Sequence, residues 1–181
     1  MTRAALILTT ALAAAGVGYP ALVPMPIKLI WNASASAPIG LFEINPDDSF
    51  GVSDLVAVDA PEPLAIFLAE RGYLPRGVPL LKRVLAAPGQ TVCRTGLVIT
   101  VDNITVGAAL ERDRAGRDLP VWQGCKLIPA GEVFLMNPQV RDSLDGRYFG
   151  LFSADRIIGR AVPLWTDEAG DGRFQWRAPT R

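Results

Sequence analysis

The sequence predicts a mainly β domain behind one N-terminal helix, and three observations predict it. Residues 4–19 carry no charge and are dominated by Ala and Leu. From Leu41 onward, short runs rich in branched and aromatic residues alternate with Gly, Pro, Asn and Asp, the punctuation of antiparallel strands. Half of the 181 residues are apolar, so the ~150 residues beyond the first segment can bury about 68–70% of their unfolded surface in a sound core.

The first segment has two readings. Sixteen helical residues span about 24 Å, somewhat short of a ~30 Å hydrocarbon core, but apolar character continues to Pro26 through Pro20 and Pro24. It is then a membrane anchor over residues 1–28 with an irregular end. Alternatively it is a cleaved signal segment, with Arg3 as its charged region and the small residues 11–15 as its cleavage site. Both readings export the rest. Charge orients the segment weakly, with Arg3 on one side and Lys28 on the other.

The strand runs are 41–44, 54–58, 79–86, 97–101, 132–136 and 157–165. One helix is expected over 62–71, after Pro61 and ended by Gly72, presenting Leu64, Phe67 and Leu68, then Tyr73, to a core. Residues 107–120 are polar and read as a hairpin or loop excursion. The organisation is an anchor at 1–28, a folded domain at 29–165 and a charged, loose tail at 166–181.

Composition excludes several functions. Eighteen basic and eighteen acidic residues cancel without a basic stripe, so no nucleic-acid partner is expected. There is no histidine, which removes Ser-His-Asp and Cys-His catalysis and most zinc enzymes. No metal or cofactor is expected. Cys93 and Cys125 fit no zinc motif and no CxxC pair. They are either a disulfide, closing a loop of roughly 30 residues and stabilising by about 3–4 kcal/mol on the chain-entropy account, or two buried thiols; export favours the former. Lys28, Lys82 and Lys126 are the only lysines. A lysine in an apolar run can do what arginine cannot, which is lose its proton.

Three segments carry candidate chemistry. Residues 31–42 (WNASASAPIGLF) read alone as a small-residue linker, but Pro38 and Gly40 also fix a turn that holds the Ser36 hydroxyl outward at a strand start. In 79–89 (PLLKRVLAAPG), strand alternation puts Leu80, Lys82, Val84 and Ala86 on one face. Lys82 is then either a snorkelling side chain or a desolvated amine. A three-unit drop in its pKa needs about 4 kcal/mol of desolvation, after which it is neutral near neutral pH and can take a serine proton. In 136–150 (MNPQVRDSLDGRYFG), charges and a serine lie between two apolar runs. This is a solvated loop with weak ion pairs or a network supporting a site.

Together the segments resemble the boxes of type I signal peptidases, and more closely the TraF branch that serves conjugative plasmid transfer. Ser34 and Ser36 with Pro38 match the Ser-x-Ser box. Lys82-Arg83 with Pro88-Gly89 match the lysine strand. Ser143, Asp145 and Arg147 match the third box. Asn32, Ser36, Pro38, Gly40, Leu41 and Phe42 match the TraF form of the first. Departures are Ala37 for the usual Met, Asn137-Pro138 for Gly-Asp-Asn, and Gly146 for Ser. The resemblance spans residues 30–165 and implies a signal peptidase/LexA-like β domain held in the periplasm by one inner-membrane helix.

The resemblance implies a serine peptidase with Ser36 as nucleophile and Lys82 as general base. Ser34 supports the oxyanion and Ser143 orients the amine. Asp145 matches an acid counted as essential in the branch. A carboxylate beside Lys82 would keep the amine charged, so Asp145 is expected to pair with Arg147 instead. The implied substrate is a pilin or other exported precursor, trimmed and in some systems cyclised. Two alternatives stand: a general signal peptidase, and a non-catalytic membrane-tethered component of a transfer apparatus. No Ser-x-x-Lys and no Gly-x-Ser-x-Gly occurs.

Overall fold

The computed structural model describes residues 2–22, 26–46 and 49–179. Helix α1 (Arg3–Leu22) exposes Leu6, Ile7, Leu8, Leu12 and Val17, each by more than half. Thr9 and Thr10 return their hydroxyls to the carbonyls of Ala5 and Leu6, so the helix presents little but hydrocarbon. Among the described residues no helix is long and apolar enough to cross a membrane. Pro24, expected near the end of the anchor, lies outside the described residues.

The site is carried by an antiparallel sheet. Strands β1 (Leu29–Asn32) and β2 (Ile39–Asn45) form a hairpin with Asn32 opposite Gly40. Its connection, 33–38, carries Ser34 and Ser36. The sheet continues through β11 (Ile157–Asp167), β3 (Leu55–Val58), β4 (Leu80–Ala86), β9 (Glu132–Leu135) and β10 (Phe152–Ser153), in the order β1-β2-β11-β3-β4-β9-β10. Gly40 has φ of +144°, and a Cβ there would meet the Trp165 carbonyl at 2.3 Å. Only glycine lets β2 cross β11 that closely.

Both faces of this sheet are covered. Helix α2 (Glu62–Glu70) begins after Pro61 and buries Leu64 and Leu68 against Val56, Val58 and Val84. Phe67 and Tyr73 pack at its margin. On the other face Phe42, Ile44, Ala57 and Leu81 form a second cluster. Strand β4 is thus flanked by apolar clusters on both sides, and Lys82 sits in its middle beside Arg83.

A second sheet of four strands has the order β7-β6-β5-β8: β5 (Thr91–Thr95), β6 (Val98–Val101), β7 (Ile104–Ala108) and β8 (Gly124–Leu127). Val92, Ile99 and Val101 pack there with Phe134 and Met136 from the β9 region. Every residue of β8 is exposed, so no burial pattern announces it. Cys93 lies directly opposite Cys125 across β5 and β8, and the two are disulfide-bonded. Between β7 and β8 the polar excursion closes on itself through an Arg112–Asp118 bridge.

The end of the chain differs from the expected loose tail. Strand β11 runs to Asp167, whose carboxylate accepts from the N–H groups of Asp171 and Gly172. The chain then turns back as β12 (Gln175–Trp176), pairing with Trp165 and Thr166. Phe174 packs 4.8 Å from the ring of Trp165. A carboxylate-closed turn and an aromatic contact order a segment whose charge and glycine content suggested none. Residues 180–181 lie outside the described residues.

Candidate active site

Each site residue is placed by its element. Ser36 is half-buried in the β1–β2 connection. Asn32, at the end of β1, shapes that connection: its amide donates to the carbonyls of Ser34, Ala37 and Pro38. Its Oδ1 accepts from both Ser34 N (3.1 Å) and Ser34 Oγ (2.9 Å). Ser34 Oγ lies 3.1 Å from Ser36 Oγ. Since the one Ser34 proton points at Asn32, the Ser36 hydroxyl donates to Ser34.

Lys82 is 2% exposed. Burial pushes its amine down to about 8; the Asp145 carboxylate opposes this and the Arg147 guanidinium reinforces it. Its Nζ donates to Ser143 Oγ at 2.8 Å. Among the described residues no hydrogen bond joins Lys82 to Ser36.

Asp145 and Arg147 form a buried bidentate pair, Nε to Oδ1 at 2.9 Å and Nη2 to Oδ2 at 2.8 Å. Asp145 also caps the short helix α3 (Gly146–Phe149) through Arg147 N and accepts from Asn137 N at 3.1 Å. Arg147 donates to the carbonyls of Val140, Arg141 and Ser143. One guanidinium therefore ties down the loop that presents Ser143. Gly146 has a steric cause: a Cβ would come within 2.7 Å of the Phe134 ring and of the Leu135 carbonyl.

Ser36 lines three clefts. One, of about 360 Å³, includes Pro38, Leu55, Arg83, Asn137 and Glu168. A second, of about 330 Å³, includes Tyr73, Arg117, Val140, Asp142 and Ser143. A third, of about 290 Å³, includes Trp31, Ser34, Tyr73 and Leu81. The second is walled by the 110–119 excursion. There the Tyr73 hydroxyl donates to Asp113, and Arg117 Nε bonds the same carboxylate at 2.7 Å. The Tyr73 hydrogen bond holds the Asp113 carboxyl well below the usual carboxylate range.

Sequence reasoning missed Asn137, which entered only as a departure from a pattern. Its amide nitrogen donates to the carbonyls of Ser36 and Leu81, while its Oδ1 accepts from Arg83 N at 2.9 Å. The available signal was a polar residue set at the end of the apolar run 132–136, ahead of Pro138. Asn32 entered as a motif letter without a role, though its five hydrogen bonds build the loop.

This constellation has the parts for proton transfer: a buried, desolvated amine held on Ser143, a half-buried Ser36 hydroxyl lining the same cleft as Ser143, and a buried ion pair tuning the amine. The family described as signal peptidase, peptidase S26, matches residues 1–165. A probable conjugal transfer protein TraF from Sinorhizobium fredii is 37% identical over 145 residues, 75% of this chain and 76% of that one. A plasmid transfer protein TraF from Escherichia coli is 31% identical over 173 residues, 90% of each chain. A probable signal peptidase I-1 from a Synechocystis species is 29% identical over 111 residues, 61% of this chain and 52% of that one.

Proposed function

We propose, for a chain that belongs to the signal peptidase family, peptidase S26, on the branch of the TraF transfer proteins, that it is a serine peptidase in which Lys82 activates Ser36. The observation that carries the proposal is the burial of Lys82 on a strand face otherwise made of Leu80, Val84 and Ala86, with its amine lowered to about 8. With its pKa about 8, such an amine is neutral in about a tenth of molecules at pH 7 and about half at pH 8, far more than an ordinary lysine, and the neutral form accepts a proton without a histidine.

In this reading the Ser36 hydroxyl rotates about χ1 from Ser34 toward Lys82. Lys82 takes its proton as Oγ bonds the scissile carbonyl carbon, and the Ser36 backbone N–H holds the oxyanion. The carbon–nitrogen bond breaks and the Lys82 ammonium returns the proton to the departing amine. Water, or an amine from the same substrate chain, then releases the acyl group. Ser143 accepts one amine hydrogen, which leaves the lone pair of the neutral amine for the Ser36 proton. Asp145 acts from behind, holding Arg147 and through it the Ser143 loop. Ser34 must turn its proton away from Asn32 before it can assist the oxyanion.

The substrate proposed is an exported pilin precursor, trimmed and then either released or cyclised. The TraF relatives and the match of the Ser-x-Pro-x-Gly-Leu-aromatic run support this reading. Helix α1 is proposed to tether the chain to the inner membrane through its exposed apolar side chains, with the β domain on the periplasmic side. The Cys93–Cys125 disulfide agrees with an oxidising compartment.

The test is co-expression with the candidate pilin precursor, reading pilin mass for wild type, Ser36→Ala and Lys82→Arg. Wild type shortens the pilin and both variants leave it intact; a further loss of one water from the shortened product marks cyclisation. Normal processing by Ser36→Ala overturns the proposal.

A further inference from the structure

The Ser36–Lys82 reading leaves open how two groups on segments far apart in sequence, and not bonded to each other, are held in register. We propose that Asn137 is the positioning residue that sets the distance between the nucleophile loop and the lysine strand. This inference rests on that reading and extends it.

Strand β9 pairs with β4 as far as Leu135, and the N–H of the next residue, Met136, donates to the Arg83 carbonyl. There β9 ends, and the Asn137 side chain continues the ladder. Its Oδ1 takes the N–H of Arg83 and its Nδ2 donates to the carbonyl of Leu81. Those are the two residues flanking Lys82, so the amide grips the backbone on both sides of the base. The second hydrogen of the same Nδ2 goes to the carbonyl of Ser36. One planar amide thus bridges nucleophile and base through three backbone groups, and its rigidity fixes their separation. The Asn137 backbone N–H donates to Asp145, so the clamp is itself anchored on the buried ion pair. Asn137 is 4% exposed, and no other residue type supplies a donor and an acceptor at that reach; Asp lacks the donor, Ala both.

Asn137 lines the Ser36 cleft but is nearly buried, with its amide committed to three backbone groups rather than to the reacting atoms, so its loss shows chiefly as misalignment. A displacement near 1 Å in such a site costs about 100-fold in rate. The experiment is steady-state cleavage of a peptide spanning the pilin cleavage site by full-length wild type, Asn137→Ala, Asn137→Gln and Ser36→Ala, with thermal midpoints and kcat pH profiles. The expected result is a kcat about 100-fold lower in Asn137→Ala, with KM within a few-fold and the pH midpoint of the base limb unmoved, because burial and the Asp145–Arg147 charges around Lys82 remain. Asn137→Gln, which keeps the amide but displaces it, recovers part of the loss. Rates are compared per folded molecule at a temperature below every midpoint.

A kcat within threefold of wild type in Asn137→Ala overturns the inference, as does a loss that disappears on correction for folded fraction. A shifted base limb also overturns it, since Asn137 would then act through the lysine's charge. If Ser36→Ala cleaves as wild type does, the dyad reading fails first. If Ser36→Ala is inactive and Asn137→Ala is not impaired, the dyad stands and the clamp does not.

Discussion

Two of the acid–arginine pairs near the site, one buried behind the Ser143 loop and one walling the cleft, are built to opposite ends. Asp145–Arg147 lies inside the protein, with Arg147 1% and Asp145 0% exposed, and each hydrogen-bonding group of the pair has a protein partner. Asp113–Arg117 lies on the excursion between β7 and β8, shares its carboxylate with Tyr73, and leaves the arginine partly in water. The first pair acts on Lys82 from both of its members. The second is absent from the charges that move Lys82. A fully buried pair sets the chemistry of a neighbour because little water screens it, whereas a pair whose arginine is partly in water and which does not act on Lys82 holds a loop in place.

The sharpest way to break the comparison is to remove Arg147. In Arg147→Ala the Asp145 carboxylate stays buried without its counter-charge, and the carbonyls of Val140, Arg141 and Ser143 lose their donor. Breaking a buried pair from one side costs about 3–5 kcal/mol, read as a lower urea midpoint. Adding Asp145→Asn to Arg147→Ala restores part of that loss, because the stranded charge is gone. If Arg147→Ala unfolds with the wild-type midpoint, the pair is not the anchor described here.

That contrast also marks what the sequence could disclose. Strand runs 54–58, 79–86, 132–136 and 157–165 were legible as short branched and aromatic runs between turn formers, β3 being buried on both faces, and the helix after Pro61 by its apolar face. Strand β8 was not, since all four of its residues are exposed and it exists by pairing with β5 and by the Cys93–Cys125 bond. The ordered tail was hidden for a similar reason: Asp167 closes a turn through side-chain hydrogen bonds that no periodicity reports. Lys82, Ser143, Asp145 and Arg147 were legible as spaced polar letters among apolar ones. Asn137 was not, because a side chain that imitates a strand's hydrogen bonds looks like any loop asparagine.

The second prediction uses pH. Lys82 is lowered from an ordinary lysine value of 10.5 to about 8. Between those values the unfolded chain holds the proton and the folded chain does not, so folding stability rises with pH across that window. Below pH 8 the folded protein carries a charged, desolvated amine at a cost of roughly 3 kcal/mol. Activity follows the same titration: kcat/KM climbs about tenfold per pH unit below the midpoint and levels above it. In Asp145→Asn the carboxylate that favours the ammonium is gone while Arg147 remains, so the midpoint moves to lower pH. A pH–rate profile of kcat/KM checks this, and a midpoint that stays in place or rises contradicts the electrostatics.

The smallest effect belongs to the surface pair. Asp113→Asn weakens the hold on Arg117 and Tyr73, but no charge that acts on Lys82 changes. The pH midpoint therefore stays at its wild-type value, and the thermal midpoint falls by less than in Arg147→Ala, because Arg117 is partly in water although the Asp113 side chain is only 5% exposed. The loosened segment walls the cleft that contains Ser36 and Ser143, so substrate binding takes the loss: KM for the pilin peptide rises by a few-fold while kcat holds. A fall in kcat with KM unchanged would place Asp113 among the groups that tune the base and erase the distinction between the two pairs. An unchanged KM and kcat would mean that the 110–119 wall does not meet the substrate at all.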